Sequence, residues 1–99
     1  MPYFAVTRER GPNWNGSRSL REQEGWDEHA EFMDRLADEG FILHGGPLGD
    51  GTRTLHMVRA ANVDEIEARF TDDIWTGMDL VRTASIEPWE ILLGVPSDE

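Results

Sequence analysis

"FILHGGPLGDGTRTLHMVRA", residues 41 to 60, decides how the rest of the chain is read. "FILHGG" is a short apolar run, and "TRTLHMVRA" is a second run rich in strand formers. Between them "PLGDG" carries an Asp-Gly pair, which suits the positive φ angles of tight hairpin turns. The stretch predicts an antiparallel hairpin between Phe41 and Ala60.

A helix is predicted on each side of that hairpin. Upstream, "WDEHAEFMDRLADEG" (26–40) is wound at about 100° per residue. Trp26, Ala30, Met33, Leu36 and Ala37 then share one arc, and Asp27, Glu28, Glu31, Asp34, Arg35 and Asp38 share the other. That pattern is an amphipathic helix, expected from about Gln23 to Glu39. Gly40 is its natural stop, because a missing side chain permits the left-handed cap. Downstream, "NVDEIEARF" (62–70) can be capped by Asn62, with Glu65 three residues on to close a capping box. Its apolar stripe is Val63, Ile66 and Phe70.

Strand-like segments flank the whole. "YFAVTRE" (3–9) alternates weakly and is rich in strand formers. "LVRTASIEPWEILL" (80–93) is strand-like on both sides of Pro88, which is expected at a bulge or strand switch. The order is β-α-β-β-α-β, a ferredoxin-like α+β domain spanning residues 1–99. It places both helices on one face of a four-stranded antiparallel sheet. "FIL" and "ILL" are apolar at consecutive positions, which points to burial of both strand faces. Two helices cannot cover both faces, so a homodimer packed sheet to sheet is expected.

Composition narrows the function. The 99 residues carry a net charge of −11, which repels phosphate backbones, so a nucleic-acid partner is not expected. No apolar run spans a bilayer and no basic-then-hydrophobic leader is present, so no membrane partner is expected and the chain reads as soluble and cytoplasmic. There is no cysteine, which excludes disulfides, thiolate catalysis and cysteine-ligated metals. All nine basic residues are arginine, so Schiff-base lysine chemistry is excluded too. The Asn15 sequon "NGS" reads as chance without a secretory signal.

Within this frame a few residues can carry chemistry. His29 sits near the middle of the apolar arc of the first helix. It is either a packed histidine satisfied by its surroundings or a base awaiting a partner that sets its tautomer. "TDDIWTGMD" follows the second helix, and Asp73 is the candidate partner, with Asp72 beside it as the alternative. The plain reading of either aspartate is a helix cap. Gly45 and Gly46 can let a ligand approach the backbone closely, or can simply shape a turn. Trp26 and Trp75 flank the His29/Asp73 pair in sequence. With Gly46 and Pro47 they are expected to border an apolar pocket for a small planar ligand. "GPNWNGSRS" and "LREQE" form a long connection of the kind that often serves as a lid or binding loop. His29, His44 and His56 lack metal-ligand spacing, and no dinucleotide fingerprint, phosphate-binding loop or nucleophile elbow is present. No metal and no organic cofactor is expected.

"REQEGWDEHAEFMDRLADEGFILHGGPLGDG", "DDIWTGMDLV" and "EPWEILL" together resemble the YCII-related family, a branch of the dimeric α+β barrel superfamily. The resemblance covers nearly the whole chain. It runs from a helix histidine through Gly-Gly-Pro after the next strand to an acidic-x-aromatic turn and a closing Pro-aromatic strand. It implies the barrel fold, a dimer, and a His–Asp dyad whose members here are His29 and Asp73. Where the family usually has Asp-Pro-aromatic, this chain has Asp73-Ile74-Trp75. Some members act on chlorinated or quinone-like aromatics. Two functions are therefore expected to compete. One is a cofactor-free enzyme of lyase or isomerase type, moving a proton on a small aromatic or enolisable metabolite. The other is a non-catalytic small-molecule-binding or accessory module.

Overall fold

The hairpin forms as strands β2 (Ile42–Leu48) and β3 (Arg53–Arg59). The structure is a computed structural model and describes residues 1–94. At the hairpin tip Gly49 and Gly51 take φ values of 51° and 87°. The Asp50 carboxylate accepts from the Thr52 backbone at 3.0 Å and from its hydroxyl at 2.8 Å. Strand β1 (Tyr3–Arg10) lies beside β3, and β4 (Val81–Pro88) lies on its other side. The order β2-β3-β1-β4, antiparallel throughout, is that of the ferredoxin-like unit from which dimeric α+β barrels are built.

Helix α1 (Trp26–Asp38) starts later than its periodicity suggests. Leu20–Glu22 is a separate 3-10 turn, and Gly25, with φ of 79°, redirects the chain before the helix begins. The buried stripe is also rotated. Phe32 and Leu36 are buried, Met33 is half-buried and Ala37 is exposed. His29, Phe32, Met33 and Leu36 thus follow the i, i+3, i+4, i+7 spacing of one helix face. The histidine opens the core stripe. Gly40 ends the helix at φ of 81°, where the Phe41 N–H bonds the Leu36 carbonyl and the Gly40 N–H bonds that of Ala37, both at 3.0 Å.

Helix α2 (Val63–Thr71) is capped by Asn62, which accepts from the Glu65 N–H at 2.9 Å. The Glu65 carboxylate reaches back to the Ala61 N–H at 2.7 Å, one residue earlier than a capping box requires. Ile66 and Phe70 point inward. Val6, Leu36, Val58 and Ile66 are almost fully buried between helices and sheet. Burying such a side chain contributes about 1.5–3 kcal/mol. A short helix, α3 (Ile74–Gly77), joins α2 to β4.

The last strand departs from expectation. Thr7 pairs with Ser85 and Arg8 with Thr83, so the bulge falls at Ala84, while Pro88 ends the strand opposite Phe4. Beyond it the Trp89 N–H still bonds the Tyr3 carbonyl at 2.9 Å. Leu92 and Leu93 are 75% and 91% exposed and lie outside any strand, so "ILL" is not buried on two faces within the single chain. Among the described residues no helix is long and apolar enough to cross a membrane.

Candidate active site

Strand alternation sends Phe4, Val6 and Arg8 of β1 to the helix side, and all three are buried. The inward row therefore ends in a guanidinium, and Asp73 meets it. Asp73 is the N-cap of α3: its carboxylate accepts from the Trp75 backbone N–H at 3.1 Å. It also accepts from Arg8 Nη1 at 2.9 Å. Its two oxygens lie 3.0 and 2.9 Å from His29 Nδ1. One carboxylate thus serves as helix cap, counter-ion and histidine partner. Asp72 is the C-cap of α2 and exposed, so the choice between the two aspartates falls geometrically on Asp73.

The electrostatics follow from this crowding. Burial pushes the Asp73 carboxyl upward, but the His29 contact, the Arg8 bond and the Trp75 N–H together hold it below the ordinary range. Burial lowers the Arg8 guanidinium, against the pull of Asp73. An arginine nevertheless remains a cation. Because Asp73 is an ionised acceptor, the nitrogen facing it carries the proton in neutral His29. That nitrogen is Nδ1. Nε2 then holds the lone pair, and it has no hydrogen-bond partner among the described residues.

The surroundings lock this arrangement. Arg8 Nη2 donates to Thr76 Oγ1 at 2.6 Å, and that hydroxyl donates to the Phe70 carbonyl at 2.8 Å. The guanidinium carbon lies 4.7 Å from the Phe70 ring centre. Trp75 stacks on His29, with centroids 3.9 Å apart and planes 8° from parallel. The indole N–H donates to the Glu24 carbonyl at 2.7 Å, which ties the stacked ring to the long loop.

His29 and Trp75 line a cavity of about 100 Å³. Its apolar wall adds Trp14 and Leu20 from the loop, Met33 from α1 and Val81 from β4, and its polar wall adds Arg8 and His56. The loop is held by buried Gln23, whose amide donates to the Asn15 and Arg18 carbonyls at 2.7 and 3.1 Å. A wider groove of about 530 Å³ between α2 and β4 holds no histidine, so the chemistry favours the smaller cavity.

The predicted site residues are only partly brought together. His29, Asp73 and Trp75 converge. Trp26 stands behind them, its ring 5.9 Å from His29 and 5.8 Å from Trp75, and does not line the cavity. Gly45, Gly46 and Pro47 line a different depression of about 330 Å³, shared with His44, Leu55, Met57 and Trp89. The hairpin carries them past the cavity rather than into it. Among the described residues no group of three or more His, Asp or Glu is arranged to hold a metal. Arg8, His56, Trp14 and Leu20 escaped the sequence reading. A charged residue in phase with Phe4 and Val6, and a histidine in phase with Val58, were the available signals.

No protein-family model matches the chain, and no curated relative does. Among solved structures the chain is similar to 5-chloro-2-hydroxyhydroquinone dehydrochlorinase (TftG) of Burkholderia phenoliruptrix AC1100, in complex with 2,5-dihydroxybenzoquinone. The TM-score is 0.61 and the identity 23%, over 90% of this chain and 92% of that one. The likeness is one of fold: the same α+β unit spans nearly the whole of both chains.

Proposed function

We propose that this chain is a YCII-related enzyme that works without a cofactor, in which His29, oriented by Asp73, moves a proton on a small aromatic or enolisable metabolite. One observation carries the reading: Nδ1 is bonded to a buried carboxylate, while Nε2 is unbonded on a ring that borders a cavity. The substrate proton passes to Nε2, and the electron pair it leaves moves onto a conjugated oxygen. Asp73 faces the positive charge arriving on the ring. The imidazolium then returns the proton to another carbon in an isomerisation, or the electron pair expels a leaving group in an elimination. A positioned base contributes roughly 10²–10⁴-fold to such a step. The fold shared with a dehydrochlorinase of a hydroxylated ring supports an aromatic substrate.

The same proposal includes a homodimer. Leu92 and Leu93 project into solvent, and the face of the sheet away from the helices carries the depression lined by Leu55, Met57 and Trp89. A second copy packed on that face covers both.

The test is a screen of hydroxylated and halogenated aromatics for halide release, and of enolisable compounds for deuterium exchange by NMR. Turnover that falls by roughly 10²-fold or more in His29→Ala supports the reading. Turnover indifferent to His29→Ala refutes it. Binding without turnover in both proteins favours the small-molecule-binding module instead.

A further inference from the structure

We infer that Arg10 receives the anionic group of the substrate at the mouth of the His29 cavity, so that the site takes a single aromatic ring bearing a carboxylate or phenolate oxygen in preference to a neutral ring. The inference rests on the proton-transfer reading for its ring and adds the charge that the ring carries.

The alternation that turns Phe4, Val6 and Arg8 toward the helices brings Arg10 to the same side, one step past Arg8. The two arginines then differ. Arg8 is 3% exposed and bonded to Asp73 and Thr76. Arg10 is exposed, and its side chain has no hydrogen bond or ion pair among the described residues. Its guanidinium carbon stands 4.8 Å from the centre of the Trp14 ring. Trp14 meets Trp75 at a right angle with centroids 5.6 Å apart, and Trp75 stacks on His29. A run of ring contacts thus leads from the unpaired guanidinium to the proposed base. An indole face attracts a guanidinium and steadies it. The N–H edge stays free to meet anionic oxygen, and its planar fork matches both oxygens of a carboxylate.

The cavity wall shows where this group stands. Its buried members include Arg8, His56 and Trp75, and its exposed members are Arg10, Leu20 and Thr52. The first set marks the base and the second the mouth. The cavity of about 100 Å³ is smaller than an engineered cavity of about 150 Å³ that binds benzene. It therefore holds no more than one ring, and a charged substituent on that ring is left at the mouth, beside Arg10.

The charge balance of the wall is the reverse of that of the chain. The sequence has 20 acidic residues against nine basic ones. The wall has Arg8 and Arg10 against one carboxylate, Glu9, which accepts from Arg82 Nε at 2.8 Å. Arg8 is compensated by Asp73. Asp50, at the hairpin tip, is held low first by its bonds from Thr52 and only then by the charges of Arg10 and Arg53. In a chain whose net charge of −11 repels anions at large, an unpaired cation at a cavity mouth selects where an anion lands and which end of it enters first.

The test is binding at low ionic strength, with dissociation constants read from shifts of the tryptophan indole N–H resonances. Benzoate is compared with benzamide, and 4-nitrophenolate with 4-nitroaniline, so that each anion has a neutral partner of the same size. Wild type is expected to bind both anions more tightly than their partners, and the tighter anion identifies the preferred headgroup. Arg10→Gln should bind the anions about fivefold or more weakly and leave the neutral compounds unchanged. Arg10→Lys, a point charge without the fork, should recover part of the loss. Arg35→Gln, which removes the same charge from the solvent face of α1, should change nothing. An anion preference that survives Arg10→Gln overturns the inference, as does wild type binding the neutral compounds equally well or binding none of the four. An equal loss in Arg35→Gln overturns it too, by reducing the effect to net charge. The readout contains no turnover, so an Arg10-dependent preference without catalysis sinks the proton-transfer reading alone, and turnover that depends on His29 without such a preference sinks this inference alone.

Discussion

Acidification should weaken this fold through His56 before the bulk of the carboxylates titrate. The group moves from an ordinary 6.5 to about 4 on folding. Below 6.5 the unfolded chain takes up a proton that the folded chain refuses, so the unfolded state gains relative stability as pH falls. The sign follows for a depressed group: its contribution is complete above 6.5 and is lost on the way down to about 4. At about 1.4 kcal/mol per pKa unit, the full loss is about 3 kcal/mol, of which about 2 kcal/mol is gone by about pH 5. The assay is urea denaturation at a series of pH values between about 7.5 and 4.5, followed by tryptophan fluorescence. Other groups titrate in this range, so the quantity to read is the difference between wild type and His56→Gln. The wild-type midpoint should fall with acid more steeply than that of the variant, and the gap should open between 6.5 and about 5. Parallel curves would show that His56 does not pay for its burial in the folded state and would refute the reasoning.

Three further outcomes follow from the same geometry. Asp73→Ala strands the 3%-exposed Arg8 guanidinium without its counter-ion, which costs about 3–5 kcal/mol, and it removes the α3 cap, about 1 kcal/mol more. Urea unfolding should show a large loss, smaller for Asp73→Asn, which keeps an oxygen for the Trp75 N–H; a loss under about 1 kcal/mol for Asp73→Ala would contradict the buried pair. Trp75→Phe deletes the bond to the Glu24 carbonyl and should lower stability by about 1–3 kcal/mol, while raising hydrogen exchange across residues 11–25; unchanged exchange would mean the indole does not anchor that loop. Sedimentation equilibrium at micromolar concentration should give about twice the 11.3 kDa chain mass, and a stable monomer would remove sheet-to-sheet pairing.

The fold was legible because its signals are local and repeated. The Asp-Gly turn, the Gly40 stop and the Asn62 cap each act over a few residues, and the structure uses all three. Asp73 was proposed as the His29 partner by a longer route, from its place just after the second helix, and in the structure it lies within hydrogen-bond distance of His29 as the N-cap of α3. The rest required knowledge of register. Gly46 and Pro47 follow the histidine-bearing helix closely in sequence, yet they line the depression that holds Leu55 and Met57. Arg8 and His56 lie on strands whose polar residues read as solvent-facing until alternation is counted from Val6 and Val58. Trp14 and Leu20 reach the cavity from an irregular loop that no periodicity describes. The start of α1 was misjudged because Gly25 breaks a pattern that charge and apolarity alone would continue.

The central claim is that Asp73 fixes the His29 tautomer and leaves Nε2 bare toward the cavity. Two-bond ¹⁵N–¹H correlation NMR of the histidine ring nitrogens tests it most directly, with the resonance assigned through His29→Ala and 4-nitrophenol added to the folded protein. The neutral ring should show a protonated Nδ1 and an unprotonated Nε2, and the probe should shift the Nε2 resonance. A ring protonated at Nε2, or an Nε2 signal that ignores the probe, would contradict the account.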